Sequence, residues 1–267
     1  MIEPVTYYLL LTAIGAVMGL FGGLLGIGGS VVMIPALVLA FGENQHLYQA
    51  SAMICNFFVA AAATFAHKRE DVLVGRVIRY LIPASVAGSI AGVMLSNAAF
   101  FSGQRSYLLA RTFGLFLVYV TVHNAARLYH DFRPHLKPQR DMKDSALLSA
   151  IIGLATGLFG GLLGIGGGTI CIPLQQVLLR MPLKKAIANS AATIILIAAV
   201  GAILKNVTLY EHDIAAIESL KIAVAVIPSA IIAGFAGARL VHVLPKKYVR
   251  MVFIALLVLA SYKMLRA

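Results

Sequence analysis

The chain carries one stretch twice. Residues 19–29 read GLFGGLLGIGG, and residues 157–167 repeat it letter for letter, 138 positions further along a chain of 267 residues. A small residue follows each copy (Ser30, Gly168), and a proline stands at the same offset after both (Pro35, Pro173). Such identity at matching places in two halves points to duplication of one structural unit. Glycine costs about 1 kcal/mol relative to alanine inside a helix. It suits backbone that must turn, take positive φ or approach a ligand closely. Apolar residues surround both copies, roughly from Val5 to Phe41 and from Ala146 to Leu179. A glycine-rich interruption there predicts a helix broken inside a membrane, with freed amide groups that lipid cannot satisfy. The competing explanation is close helix packing, since Gly19/Gly23 and Gly22/Gly26 both have GxxxG spacing. The compact GIGG end, a small residue and then proline favour the break. A nucleotide loop is excluded, because no lysine follows the glycines and no strand–turn–helix context surrounds them.

Composition sets the medium. The chain is 60% apolar and only 12% charged, about half the charge of a soluble domain. Several runs exceed the roughly 18 apolar residues that mark a membrane helix. The expected fold class is an all-α polytopic membrane protein forming a single transmembrane domain over 1–267. Repeat one covers 1–130, a cytoplasmic linker 131–144 and repeat two 145–267. The runs are 4–41, 47–67, 74–97 and 104–129, then 145–180, 184–205, 219–241 and 246–266. Ala50-Ser51-Ala52 stands at the same offset as Ala188-Asn189-Ser190, and Pro83 with Gly88 and Gly92 echoes Pro228 with Gly234 and Gly237. Cys55 and Cys171 fall in different runs and read as small buried hydrophobes. No spacing suits a metal, and no cofactor is expected.

The net charge of +12 reads as topology and excludes a nucleic-acid partner, because the basic residues lie between apolar runs. The segment 42–46 has no Lys or Arg, while its counterpart 180–185 has Arg180, Lys184 and Lys185. The segment 68–76 holds Lys68, Arg69 and Arg76; its counterpart 205–218 has one lysine and three acids. The segment 98–104 has no base, and its counterpart is rich in them. Opposite charge patterns predict two inverted-topology repeats. The basic segments before and after 145–180 should share the cytoplasmic face, so each first run should be a glycine-broken hairpin. Three spans follow each hairpin, giving 8–10 membrane helices in total. Eight simple spans would place Arg180, Lys184 and Lys185 outside, against the charge rule.

Inverted copies bring the two glycine turns together near the midplane, as in transporters with broken helices. The helix after each turn offers free N–H groups and the positive end of its dipole. Gly28-Gly29-Ser30 and Gly166-Gly167-Gly168-Thr169, with Gly26 and Gly164 opening the turns, form an expected cradle for a small anion that needs no fixed charge. Ser51, Asn56, Asn189, Ser190 and Thr193 are the polar residues of the neighbouring spans. Each hydroxyl could instead bond its own helix, and Asn189 could be a helix cap. Gln175 and Gln176 are candidate lining residues. His67, His123, Arg105, Arg111, Arg127 and Arg239 lie near span ends, where snorkelling is the default and an electropositive mouth the alternative. No Asp or Glu lies inside an expected span, which argues against a carboxylate relay. No catalytic constellation is visible, so an enzyme is not expected.

The duplicated GLFGGLLGIGG with its following proline, Ala-Ser or Asn-Ser in the next span, and proline with glycines in the one after resemble the TauE/SafE family of membrane permeases. The resemblance covers nearly the whole chain. It implies a multi-pass bacterial inner-membrane exporter of sulfite, an organosulfonate or a related anion. It carries over the glycine turns with Ser30 and Thr169, and the Ser51 and Asn189-Ser190 positions. Two departures lie in the first copy: Ser30 replaces a glycine, and Ser51-Ala52 stands where a Thr-Ser pair is usual. The expected function is a secondary permease for a small anion working by alternating access; the alternatives are a passive anion channel and an accessory membrane subunit. The expected partners are that anion and the lipid bilayer, with a homodimer left open.

Overall fold

The computed structural model describes residues 3–68, 73–98, 100–101, 106–131, 142–240 and 246–266. Among these there are ten α-helices: α1 (Pro4–Leu25), α2 (Ser30–Phe41), α3 (Gln45–Lys68), α4 (Gly75–Ser96), α5 (Ser106–Asp131), α6 (Ala146–Leu163), α7 (Gly168–Leu178), α8 (Leu183–Thr208), α9 (Ala216–Leu240) and α10 (Lys246–Leu265). A 3-10 turn, Leu209–His212, extends α8. Seven helices are long and apolar enough to cross a membrane, while α2 and α7 are shorter apolar pieces.

Both glycine tracts break their helices. Gly26 and Gly164 end α1 and α6 in the left-handed region, each returning its N–H to the carbonyl four residues back. Gly29 and Gly167, also left-handed, begin α2 and α7 and accept the first amide bonds of the new helices. Each apolar run therefore holds one span-length helix and one half-length helix. Pro35 and Pro173 sit inside the short helices, one turn past their starts.

Packing crosses between the halves. α1 lies along α9, α6 along α4, α3 along α8, and α5 along α10. Exchanging the halves maps this set of pairings onto itself. Glycines make the two longest seams possible. A Cβ on Gly19 would stand 2.1 Å from the Ala230 carbonyl oxygen, and one on Gly157 would stand 1.9 Å from that of Ser85. The packing and breaking explanations thus both hold, at different glycines: the earlier ones in each tract seat a neighbouring helix and the later ones turn the chain.

Contacts also sort the helix ends. The start of α4, the start of α6, the end of α7 and the start of α8 meet at one end of the bundle. There Val74 donates to Asn189, Arg76 pairs with Asp144, and the Lys143 amide bonds the Leu179 carbonyl. At the other end, the starts of α1 and α3 meet the ends of α2, α4 and α8. Tyr7 packs on Phe41, His46 stacks on His212, and Asn97 donates to Thr208.

One sequence boundary is corrected. Lys205 stands at the junction of the run 184–205 and the polar segment 205–218, but α8 runs on to Thr208, and Lys205 is buried within the bundle. His67 and Arg105 have side chains outside the described residues.

A bulky residue in the seam should prevent assembly. Gly157→Val is expected to abolish a monodisperse species in detergent, since the carbonyl it meets is backbone and cannot yield. Gly234→Ala meets its nearest neighbour at 3.6 Å and should leave the melting temperature within a few degrees of wild type, about the scale of a sub-kcal/mol change.

Candidate functional site

The two breaks touch. A Cβ on Gly168 would lie 2.9 Å from Ile27 Cα, and one on Gly28 would lie 3.7 Å from the Ile165 carbonyl oxygen. Asn56, fully buried on α3, is wedged between them. Its Oδ1 is 3.1 Å from where a Gly28 Cβ would be, and its Nδ2 is 3.2 Å from that of Gly166. Both glycines have positive φ, 89° and 71°. Only a residue without a side chain satisfies the turn and the asparagine together. Asn56 Nδ2 donates to Ser30 Oγ at 2.8 Å, tying α3 to the first residue of α2. Asn56 Oδ1 is buried without a hydrogen-bond partner.

The flanking contacts repeat at the 138-residue offset. Gly26 packs against Ile187, and Gly164 packs against Gln49. The positions correspond but their chemistry does not: Lys184 corresponds to His46, Ile187 to Gln49, Ile194 to Asn56 and Thr169 to Val31. One skeleton therefore carries two different linings.

On the side of Lys184 the lining encloses a cavity of ≈ 300 Å³. Its floor is Ile27 of the first break with Gly168 and Thr169 of the second. Thr169 is only 8% exposed, and its hydroxyl has no hydrogen-bond partner. The first amides of α7 start at this point, so the positive end of that helix dipole adjoins the chamber. Opposite are His123, Asn124 and Arg127 of α5, Lys184 of α8 and Arg250 of α10. No carboxylate lines it among the described residues. Arg127 is held by a hydrogen bond to Gln176 Oε1, and His123 lies in the field of Arg127 and Arg250. The chamber combines a helix start, an unpartnered hydroxyl, two guanidinium groups and an ammonium, a set that suits a small oxyanion.

The sequence candidates divide among several places. Gly28, Gly166, Ser30 and Asn56 meet at the contact of the breaks; Gly168 and Thr169 face the cavity; Gly26, Gly29, Gly164 and Gly167 shape the turns. Ser51 bonds the Leu47 carbonyl of its own helix, and Thr193 bonds that of Asn189. Asn189 is a brace: it accepts from Val74 N at 2.9 Å and donates to Gln175 Oε1 at 3.3 Å. Ser190, with Thr156 and Gln175, borders the Cys171 thiol inside the bundle.

A cradle of backbone donors requires no fixed charge, but Arg127 and Arg250 line the chamber as well. The available signal was the spacing of His123, Asn124 and Arg127, which places all three on one face of a helix end. Lys184 and Arg250 had no such local signal, because only tertiary packing brings α8 and α10 to α5.

Ten helices with two broken hairpins sharing one buried contact, and seven helices able to span a bilayer, define a multi-pass membrane protein. The family model described as sulfite exporter TauE/SafE matches residues 11–264, and the chain belongs to that family. It is 26% identical to a probable membrane transporter protein, MamO of Paramagnetospirillum magneticum, over 92% of this chain and 42% of that protein. It is equally similar to MamO of Magnetospirillum gryphiswaldense, of which it covers 43%. The chain thus spans less than half the length of these two relatives. It is 25% identical to YunE of Bacillus subtilis, also named a probable membrane transporter protein, over 97% of both chains. The family and these relatives are described as transporters, not enzymes. No solved structure matches the chain.

Removing the Asn189 carboxamide with Asn189→Leu should destabilise the folded protein by about 2–4 kcal/mol, since the Val74 amide and Gln175 Oε1 each lose a buried partner. A thermal melt in detergent checks this. Ser51→Ala, which removes only a bond within one helix, should shift the melt far less.

Proposed function

We propose that the chain is a secondary transporter for a small anion of the sulfite or organosulfonate class, working by alternating access around two inverted repeats. The observation that carries this reading is the chamber where Thr169 and the start of α7 face Arg127, Lys184 and Arg250. Its ≈ 300 Å³ suits a small solute, at the low end of ligand-site volumes. A pyramidal or tetrahedral oxyanion presents several acceptors at once, which matches forked guanidinium donors and a helix start. The family description supplies the substrate class.

Inversion is supported by three features that agree. The charge patterns of the halves are opposite. The α1–α2 hairpin opens toward the end that carries Glu43, and the α6–α7 hairpin toward the end that carries Arg180 and Lys184. α1 runs parallel to α9, Gly15 lying at Val226 and Leu20 at Gly237, as it would not if α9 had the orientation of its counterpart α4. By the excess of basic residues, the end with the chamber faces the cytoplasm. Anions would enter there from the cell interior. Rocking of one repeat on the other would then open the opposite end, with the touching breaks as the pivot.

Purified protein in liposomes preloaded with unlabelled sulfite should accumulate radiolabelled sulfite by saturable counterflow. Thr169→Val and Arg127→Gln should each lower the rate by about tenfold or more, the loss of one charge-assisted contact. Gly28→Leu and Gly166→Leu should abolish it while the protein still inserts in the membrane. Flux that never saturates and shows no counterflow would identify a passive channel. Absence of both flux and any thermal shift with sulfite, sulfonates or carboxylates would identify an accessory subunit.

A further inference from the structure

We infer that Lys205 is a second anion-binding station, on the side of the breaks remote from the Thr169 chamber, and that it receives the same anion on its way out. This rests on the transport reading above and adds to it a site and a ligand set.

Lys205 is 3% exposed, deep in a bundle with no carboxylate paired to it among the described residues. Burying an ammonium without a counter-charge is costly. Its Nζ donates to Gln49 Oε1 at 2.6 Å and to Ser96 Oγ at 2.9 Å. An ammonium has three protons, so two neutral acceptors leave one donor and the whole charge uncompensated. The same Gln49 carboxamide carries a buried Nε2 with no partner. One turn earlier on the same helical face, Gln45 is 6% exposed, and neither its amide nitrogen nor its oxygen has a partner. Structures seldom leave so many polar atoms unmatched in one place without a ligand or water to meet them. The third ammonium proton and the Gln49 and Gln45 amide protons are donors, and the ligand that matches such a set is an anion.

The station connects in both directions. Gln49 packs directly on Gly164, at the start of the second break. Gln45 lines a cavity of ≈ 350 Å³ at the far end of the bundle, bounded by Glu43, His46, Glu211, His212 and Asp213. The His46 and His212 rings stack there with centroids 3.6 Å apart. Twenty or more residues of α8 separate the two cavities, about 30 Å along the helix, so they lie near opposite faces. At the duplication offset, Gln45, His46 and Gln49 correspond to Leu183, Lys184 and Ile187, which line the Thr169 chamber. Lys205 thus supplies to this half-site the cation that Lys184 supplies to the other. The carboxylates at the mouth oppose retention of an anion, so the station binds within and releases outward.

The test uses the full chain in membrane vesicles of both orientations, with sulfite as probe. Lys205→Met should raise the KM for sulfite about tenfold or more from the side bearing Glu43 and Glu211, and leave KM from the Arg127 side within about threefold. Lys205→Arg, which keeps the charge, should raise the KM from that side less than Lys205→Met does. Gln49→Leu should give a smaller rise on the same side only, which covers the case that Lys205→Met does not fold. Unchanged KM on both sides in Lys205→Met or Gln49→Leu, or equal loss on both sides in folded protein, overturns the station. Wild-type protein that moves no sulfite in either orientation overturns the transport reading itself, and the station with it.

Discussion

The structure depends on keeping backbone polar groups satisfied where two helices stop inside an apolar medium. Every amide and carbonyl freed at that depth needs a partner from the protein. Left-handed glycines provide most of the solution: Gly26 and Gly164 turn their N–H groups back onto α1 and α6, while Gly29 and Gly167 accept the opening bonds of α2 and α7. The breaks then support one another, Ile27 lying under Gly168 and Asn56 spanning Gly28 and Gly166. Neither break is protected from lipid without the other half. The same need that joins the halves also concentrates the exposed helix starts at one buried point.

The proposed function follows from how the duplicated skeleton is differentiated. Equivalent backbone positions carry Thr169 and Val31, Lys184 and His46, Ile187 and Gln49. One half-site is lined by Arg127, Lys184 and Arg250; the other carries Glu43, Glu211 and Asp213 at its mouth and a lysine bridged to Gln49 and Ser96 within. A symmetric frame with unequal linings is what the proposed carrier needs if it is to take up solute on one side and let it go on the other.

Much of this was legible in the residues. The repeat is explicit in eleven identical letters, and glycine chemistry located both breaks to within a residue of the helix ends at Leu25, Ser30, Leu163 and Gly168. Asn56 stood out because an asparagine deep in an apolar run is expensive unless it has partners. What remained hidden depended on tertiary packing. Asn189 looks from sequence like a site residue or a cap, and only the approach of Val74 and Gln175 makes it a brace. Arg127 looks like an interfacial anchor, because nothing local reports that α5 and α10 pack side by side. Lys205 ends an apolar run and so resembles a loop residue; its burial is created by α3 and α4 together.

The crossing of helix pairs between the halves has a consequence for biogenesis. α1 lies along α9, yet the ribosome must still make the intervening seven helices after α1 has emerged. At about 5–20 residues per second, α1 and its glycine hairpin wait roughly 10–40 s for the seam that covers Gly19. During that interval the nascent hairpin must be sheltered by lipid, by the insertion machinery or by a provisional neighbour. The order of synthesis therefore leaves the packing face of α1 uncovered after its glycine break has already met Asn56, Ile165 and Ile187.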